Sequence, residues 1–189
     1  STITTTYNTV TLSSVQEKFG TQGIFHSIAG QYQSVTDSTS LQFGTGDFTI
    51  EGWIYRNAAG TTHSIICKGA VEASATGWLL QINSSNQLVW KSSTTTLKTS
   101  TTTIPATTWT FVTISRTGTT AYMFINGTLE GSSFTDSANY NQTNNMLIGV
   151  DRSQTQGFAG YMDDIRITTG VCRYTASFSA PTSTFPISA

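Results

Sequence analysis

Phe48-Thr49-Ile50-Glu51-Gly52-Trp53-Ile54-Tyr55 alternates, with Phe48, Ile50 and Ile54 on one face. A period of two belongs to a half-buried strand, not to a helix. The same signal returns along the chain. Ser64 to Cys67, Trp78 to Ile82 and Leu88 to Lys91 read as short strands. Trp109 to Arg116 and Thr120 to Ile125 read as longer ones, and Met146 to Val150 and Phe158 to Thr168 follow. Asn126-Gly127 between alternating runs is a strong hairpin signal, and Thr117-Gly118 and Ser84-Ser85-Asn86 read as further tips. The best helical stretch, Ser14 to Phe19, is barely one turn. Thr94 to Thr103 reads as an edge strand or a polar loop. Many short strands with frequent turns predict an all-β sandwich or barrel with little helix.

Composition narrows the partners. The chain has 189 residues, enough for one domain with a full core. Thr occurs 37 times and Ser 23 times, while charged residues make up only 10%. Average soluble proteins carry about 25% charged residues. The surface is therefore hydroxyl and amide. A net charge of -1 leaves no basic excess for nucleic acid. No apolar run approaches the roughly 18 residues of a membrane span. The first ten residues lack a basic region followed by an apolar one, so no signal peptide is expected. Ser1 is the kind of residue left after removal of an initiator Met, so a complete chain is expected.

Enzymatic chemistry finds little support. Glycoside hydrolysis needs two carboxylates about 5 to 10 Å apart. No same-strand pair among the ten has an i, i+2 or i+4 spacing, and Gly-x-Ser-x-Gly is absent. His26 and His63 complete no zinc-ligand spacing, and Cys67 and Cys172 read as free thiols. Calcium is the expected metal if there is one, with Asp136, Asn139 and Asp151 as oxygen ligands, although loop Asp and Asn also cap turns. Asn83, Asn126 and Asn141 open glycosylation sequons, of which chance matches are expected in so Ser- and Thr-rich a chain. Trp78, Trp90 and Tyr140 are candidate platforms for stacking on sugar rings.

Two segments carry a resemblance. Gln31-Tyr32-Gln33-Ser34-Val35-Thr36-Asp37-Ser38 leads into Phe43-Gly44-Thr45-Gly46-Asp47-Phe48-Thr49-Ile50-Glu51-Gly52-Trp53-Ile54. Gly160-Tyr161-Met162-Asp163-Asp164-Ile165-Arg166-Ile167-Thr168-Thr169-Gly170-Val171-Cys172-Arg173-Tyr174 stands near the end. Both resemble the laminin-G-like, concanavalin A-like lectin/glucanase superfamily, in the form found in tailed-phage structural proteins. Gly52 departs from the family by standing where an aromatic is usual, Gln31 where an acidic residue is common, and Cys172 where Ala is usual.

The resemblance implies a jelly-roll sandwich of two antiparallel sheets. Residues 13–189 are its single domain, and residues 1–12 are an extended segment or its first strand. Ile50, Ile54, Val112, Ile114, Met123, Ile125, Leu147, Ile165 and Ile167 should line the inter-sheet core. Trp53, Trp109 and Asp163 are read as structural. Alternation puts Asp163 on a face with Tyr161, Ile165 and Ile167, so its carboxylate needs hydrogen bonds from loop amides or an Arg.

For function, the resemblance implies a non-enzymatic virion component on the particle surface. A capsid decoration or cement protein is expected first, and a tail appendage next. The partners would be other virion proteins, a second copy in a homo-oligomer, or surface glycans. With few charges, attachment would rest on apolar contacts and neutral hydrogen bonds, with Ser1 to Leu12 as an arm. The alternative is a lectin-like module that recognises host-surface glycans.

Overall fold

The computed structural model describes residues 5–8, 10–20, 22–26, 31–69 and 76–186, with backbone alone for 5–8. In chain order the strands are β1 (Thr5–Asn8), β2 (Thr11–Ser13), β3 (Gly23–His26), β4 (Tyr32–Val35) and β5 (Phe48–Arg56). Next come β6 (His63–Lys68), β7 (Trp78–Ile82), β8 (Gln87–Ser92), β9 (Thr95–Thr103) and β10 (Thr110–Thr117). The last are β11 (Thr120–Ile125), β12 (Thr128–Leu129), β13 (Phe134–Thr135), β14 (Met146–Ile148) and β15 (Gly160–Thr169). They form two antiparallel sheets. Seven strands run in the order β1-β4-β14-β6-β7-β8-β9, and eight include the order β12-β11-β10-β5-β15-β3-β2 with β13 beside β11. Ser14 to Phe19 forms a loop rather than a helix, and one 3-10 turn lies at Thr39–Leu41.

The core lies between the sheets. Alternation in β5 sends Phe48, Ile50 and Ile54 inward, where they meet Val112, Ile114, Met123 and Ile125 from one side and Ile66, Leu80, Ile82 and Trp90 from the other. Asn126 and Gly127 both have positive φ, 51° and 79°, as the two-residue hairpin turn requires. The Thr-rich tract is the edge strand β9. Residues 5–8 and 11–13 pair within the sandwich as an edge strand of each sheet, and Ser1 to Thr4 lie outside the described residues.

Two expectations about facing are corrected. Leu147 pairs with Cys67 and points out of the seven-stranded sheet, where it packs with Cys67, Leu79 and Val150. Met146 and Ile148 point inward instead. Every residue of β14 is apolar, so no alternation fixes its phase.

The second correction concerns β15. Asp164 takes φ 51° in a bulge, and the register with β5 shifts between Asp163 and Arg166. A bulge adds one residue and changes the phase of everything beyond it. Asp163 therefore sits opposite Trp53 on the outer face, while Ile165 and Ile167 pack against the core. The Asp163 carboxylate accepts from the amides of Lys18 and Phe19 at 2.9 and 3.0 Å. Those are the loop-amide bonds its sequence setting called for.

Candidate binding surface

The outer face of the eight-stranded sheet has two parts. One is covered. Phe19 packs edge-on to Trp53 at 6.0 Å, with Lys18 Nζ 3.8 Å from the centre of that ring. Phe178 packs on Phe111 and Phe124 and stacks on Tyr174 at 3.6 Å, and Phe185 lies 3.5 Å from the Arg166 guanidinium. Beneath this cover the buried Glu51 carboxylate accepts from Arg166 at 2.8 Å and from Tyr174 at 3.1 Å. Burial and the Glu51 charge push the Tyr174 phenol above its usual value.

The other part is a row of aromatic rings. Phe25 on β3 pairs with Tyr161 on β15, and Tyr161 pairs with Tyr55 on β5. Thr110 pairs with Ile54, so Trp109 stands next to Tyr55. Directly opposed residues share a face, which sets the four rings side by side across four adjacent chain segments. The successive centroid distances are 4.7, 5.8 and 5.6 Å, with interplanar angles of 30°, 80° and 56°. Phe25, Tyr55 and Trp109 are half-buried, and Tyr161 is buried between its neighbours. Thr11 opposes Phe25 and continues the row with an exposed hydroxyl. Exposed Asn57 and Thr108 adjoin Tyr55 and Trp109 in the chain. The row itself carries no charged group.

The stacking platforms expected from sequence lie elsewhere and are corrected by burial. Trp78, Trp90 and Tyr140 are 3%, 0% and 0% exposed, so no ring face meets solvent. Trp78 and Trp90 stack on each other at 5.7 Å inside the core. Trp90 Nε1 and the Tyr140 hydroxyl each donate to Asp136, both at 2.9 Å. Burial pushes the Tyr140 phenol well up, and the Asp136 charge adds to that. The pattern Trp78-Leu79-Leu80-Gln81-Ile82 carried the signal, because Trp78 shares a face with Leu80 and Ile82.

The proposed calcium ligands are likewise committed to protein donors. Asp136 also accepts from Arg116 at 3.4 Å, and both side chains are fully buried. Asp151 caps its own turn, accepting from the amides of Thr155 and Gln156 at 2.7 Å each. Asn139 Oδ1 accepts from the Asn141 amide at 3.2 Å. No group of three or more His, Cys, Asp or Glu among the described residues is placed to hold a metal.

Trp53 and Trp109, read as structural, both lie on the outer face. Trp53 belongs to the covered part and Trp109 to the row. Cys67 and Cys172 are not disulfide-bonded.

Four further carboxylates are also engaged by protein donors. Asp37 pairs with Lys68 and Gln42, and Asp47 accepts from Thr117 and Gly118. Glu130 accepts from Thr101 and Thr102, and Asp164 from the Phe185 amide.

A two-sheet sandwich with these motifs defines a lectin-like class of domain, and the comparisons agree. The chain belongs to the concanavalin A-like lectin/glucanases superfamily, whose laminin G family model matches residues 28–173. Comparison with curated proteins gives no match. Among solved structures, the chain is similar to domain 4 of AbnA, a GH43 extracellular arabinanase from Geobacillus stearothermophilus, in complex with arabinotriose. The TM-score is 0.69 at 16% identity, covering 90% of this chain and 83% of that one. The binding domain of botulinum neurotoxin serotype G matches with TM-score 0.62 at 14% identity, covering 93% and 44%. The binding domain of Paraclostridial Mosquitocidal Protein 1 matches with TM-score 0.60 at 15% identity, covering 93% and 44%. The chain thus spans under half of those two binding domains. At these identities the likeness is one of fold.

Proposed function

We propose that this domain is a non-enzymatic carbohydrate-binding module, and that sugars stack on the row of Phe25, Tyr161, Tyr55 and Trp109. The row carries this reading. Among the described residues it is a run of rings, three of them half-buried, on the part of the sheet that Phe19, Phe178 and Phe185 do not cover. Aromatic faces beside hydroxyl and amide groups suit pyranose or furanose rings. The angles of 80° and 56° among Tyr161, Tyr55 and Trp109 suit a soluble, twisting chain or a chain end rather than a flat crystalline one. The lack of charge favours neutral sugars. The named ligand of the arabinanase domain and the binding role in the toxin-domain names point the same way. A role without catalysis agrees with carboxylates that are held by backbone amides and cations.

The virion reading rests on the motif resemblance alone. Neither the row nor the structural neighbours add to it.

A glycan array, run with and without calcium and including arabino-oligosaccharides, tests the proposal. Binding should fall about tenfold or more in Tyr55→Ala and in Trp109→Ala, as for an anchor residue. Phe134→Ala, on the far edge of the sheet, should bind as the parent does. An array without hits, or binding that survives both row substitutions, would refute it.

A further inference from the structure

The strands that carry the row have a second face. Next to Phe25, Tyr161 and Tyr55 stand His26, Gly160 and Arg56, which pair in register one position along and point inward. The His26 ring is fully buried and reaches across to the opposite sheet, where a β-carbon on Gly149 would lie 2.3 Å from His26 Cε1. His63 points inward from β6 and is 2% exposed. Both imidazoles lie edge-on to Phe158, at 6.2 and 5.6 Å. One histidine from each sheet therefore braces a single ring directly behind the row.

The hydrogen bonds suit the neutral form of both rings. His26 Nδ1 lies 3.2 Å from the Gln31 carbonyl, which can only accept, so Nδ1 carries the proton. His26 Nε2 is buried without a partner. At His63 the Ala159 amide donates to Nδ1 at 3.3 Å, so the proton sits on Nε2, which donates to Thr61 Oγ1 at 2.9 Å. A second proton on His26 would have no acceptor. One on His63 would face the Ala159 N–H and break that bond.

The charged group beside His63 is a cation. Arg56 is fully buried and donates to Asn86 Oδ1 and the Ile104 carbonyl. The other contacts, from Gln31, Ala58, Thr61, Gly149, Phe158 and Ala159, offer backbone, hydroxyl or apolar groups, and the backbone bonds of Gln31 to His26 and of Ala58 to His63 only partly offset the burial. No carboxylate among the described residues pairs with Arg56 or with either histidine. Burial holds both imidazoles below the usual histidine value, and Arg56 adds to this at His63.

We propose that His26 and His63 form an acid-sensitive brace behind the aromatic row, and that protonating the pair opens this end of the sandwich and releases a sugar held on the row. The release half rests on the carbohydrate-binding role proposed above. The sign follows from linkage. An opened histidine takes a proton near pH 6.5, and the closed one resists it, so the open state binds more protons below that pH. Stability is full above about pH 6.5 and falls with decreasing pH. The opening constant rises up to about tenfold per pH unit for each histidine.

Hydrogen exchange at pH 7.5 and 5.5, corrected for intrinsic rates, reads the opening without any glycan. Segments 22–26 and 158–163 should lose protection by about tenfold or more, while 110–125 changes little. His26→Gln/His63→Gln should abolish the difference. If that variant does not fold, the NMR titration of the two imidazoles in the parent decides. Ring midpoints at or above 6.5, or a loss of protection spread evenly over the domain, would overturn the proposal. The array hits are then repeated at pH 5.5. Undiminished binding there would overturn the release. Selective opening with no glycan bound at either pH would refute the binding role and leave the brace standing.

Discussion

Ile165 fills the space above Gly52. A β-carbon on the glycine would lie 2.3 Å from Ile165 Cδ1 and 3.1 Å from Ile165 Cα. Gly52 faces inward between Ile50 and Ile54, at the position where the family resemblance leads one to expect an aromatic. The bulge at Asp164 turns Ile165 into that space. A missing side chain on one strand and an extra residue on its neighbour thus compensate each other.

Gly52→Ala should accordingly destabilise the domain by about 1–3 kcal/mol, the usual cost of overpacking. Ile165→Ala alone should cost about 2–5 kcal/mol through the cavity it leaves. The double variant should cost less than the sum, because each change relieves the other. Urea denaturation of the three variants measures the coupling, and strict additivity would contradict this contact.

Asp136 is the second site where one residue organises many. Its carboxylate takes hydrogen bonds from Trp90, Tyr140 and the fully buried Arg116. Asp136→Ala should cost about 3–5 kcal/mol, because it strands a buried cation. Trp90→Phe removes one neutral donor and some ring volume, and should cost less than the loss of Asp136. Equilibrium unfolding gives the order, and a harmless Asp136→Ala would show that the cluster does not hold this end of the core.

How far the sequence reaches is clear from these residues. Alternation in β5, β10 and β11 places Ile50, Ile54, Val112, Ile114 and Met123 inward, as the structure has them. Leu147 and Asp163 lie on the face opposite to the one alternation assigns them, for two reasons. An all-apolar strand has no phase to read, and a bulge has no signature in alternation alone. The aromatic row was hidden for a different reason. Phe25, Tyr55, Trp109 and Tyr161 are far apart in the chain and meet only through cross-strand register. Tyr55 does lie on the face opposite Ile54, which is the one local hint.

Glu130 covers the amides of an edge strand. Its carboxylate accepts from the Thr101 and Thr102 amides at 3.0 and 2.9 Å, and from the Thr101 hydroxyl at 3.0 Å. Burial opposes its ionisation, but these donors prevail and hold the group below its usual value. A lowered carboxylate contributes stability that is present above its unfolded value and lost as pH falls through the folded one. Stability should therefore decline below about pH 4.5 in the parent, and this part of the decline should vanish in Glu130→Gln. The same substitution weakens acceptance from two edge amides, so Thr101 and Thr102 should exchange faster and the protein should self-associate more readily. Hydrogen exchange and light scattering at neutral pH would show both effects, and unchanged exchange at Thr101 and Thr102 would rule out the capping role.

The covered part of the outer face depends on the segment after Arg173. Tyr174 and Phe178 stack on each other, Phe178 packs on Phe111 and Phe124, and Phe185 sits against Arg166. The Phe178 amide donates to the Gly127 carbonyl at 2.8 Å, which ties the segment to the hairpin turn. Ending the chain at Arg173 would uncover Phe111 and Phe124, both 0% exposed in the intact domain, and would remove the Tyr174 hydroxyl from Glu51. The inter-sheet core is untouched, because Trp90, Phe48 and Ile114 lie on the other side of the sheet. The truncated protein should therefore keep its near-ultraviolet circular dichroism from buried tryptophan while binding a hydrophobic dye and unfolding at lower urea. It should also associate with itself through the bared aromatic patch. A truncated domain that stays monomeric, binds no dye and unfolds at the parent's midpoint would show that the segment does not shield this face.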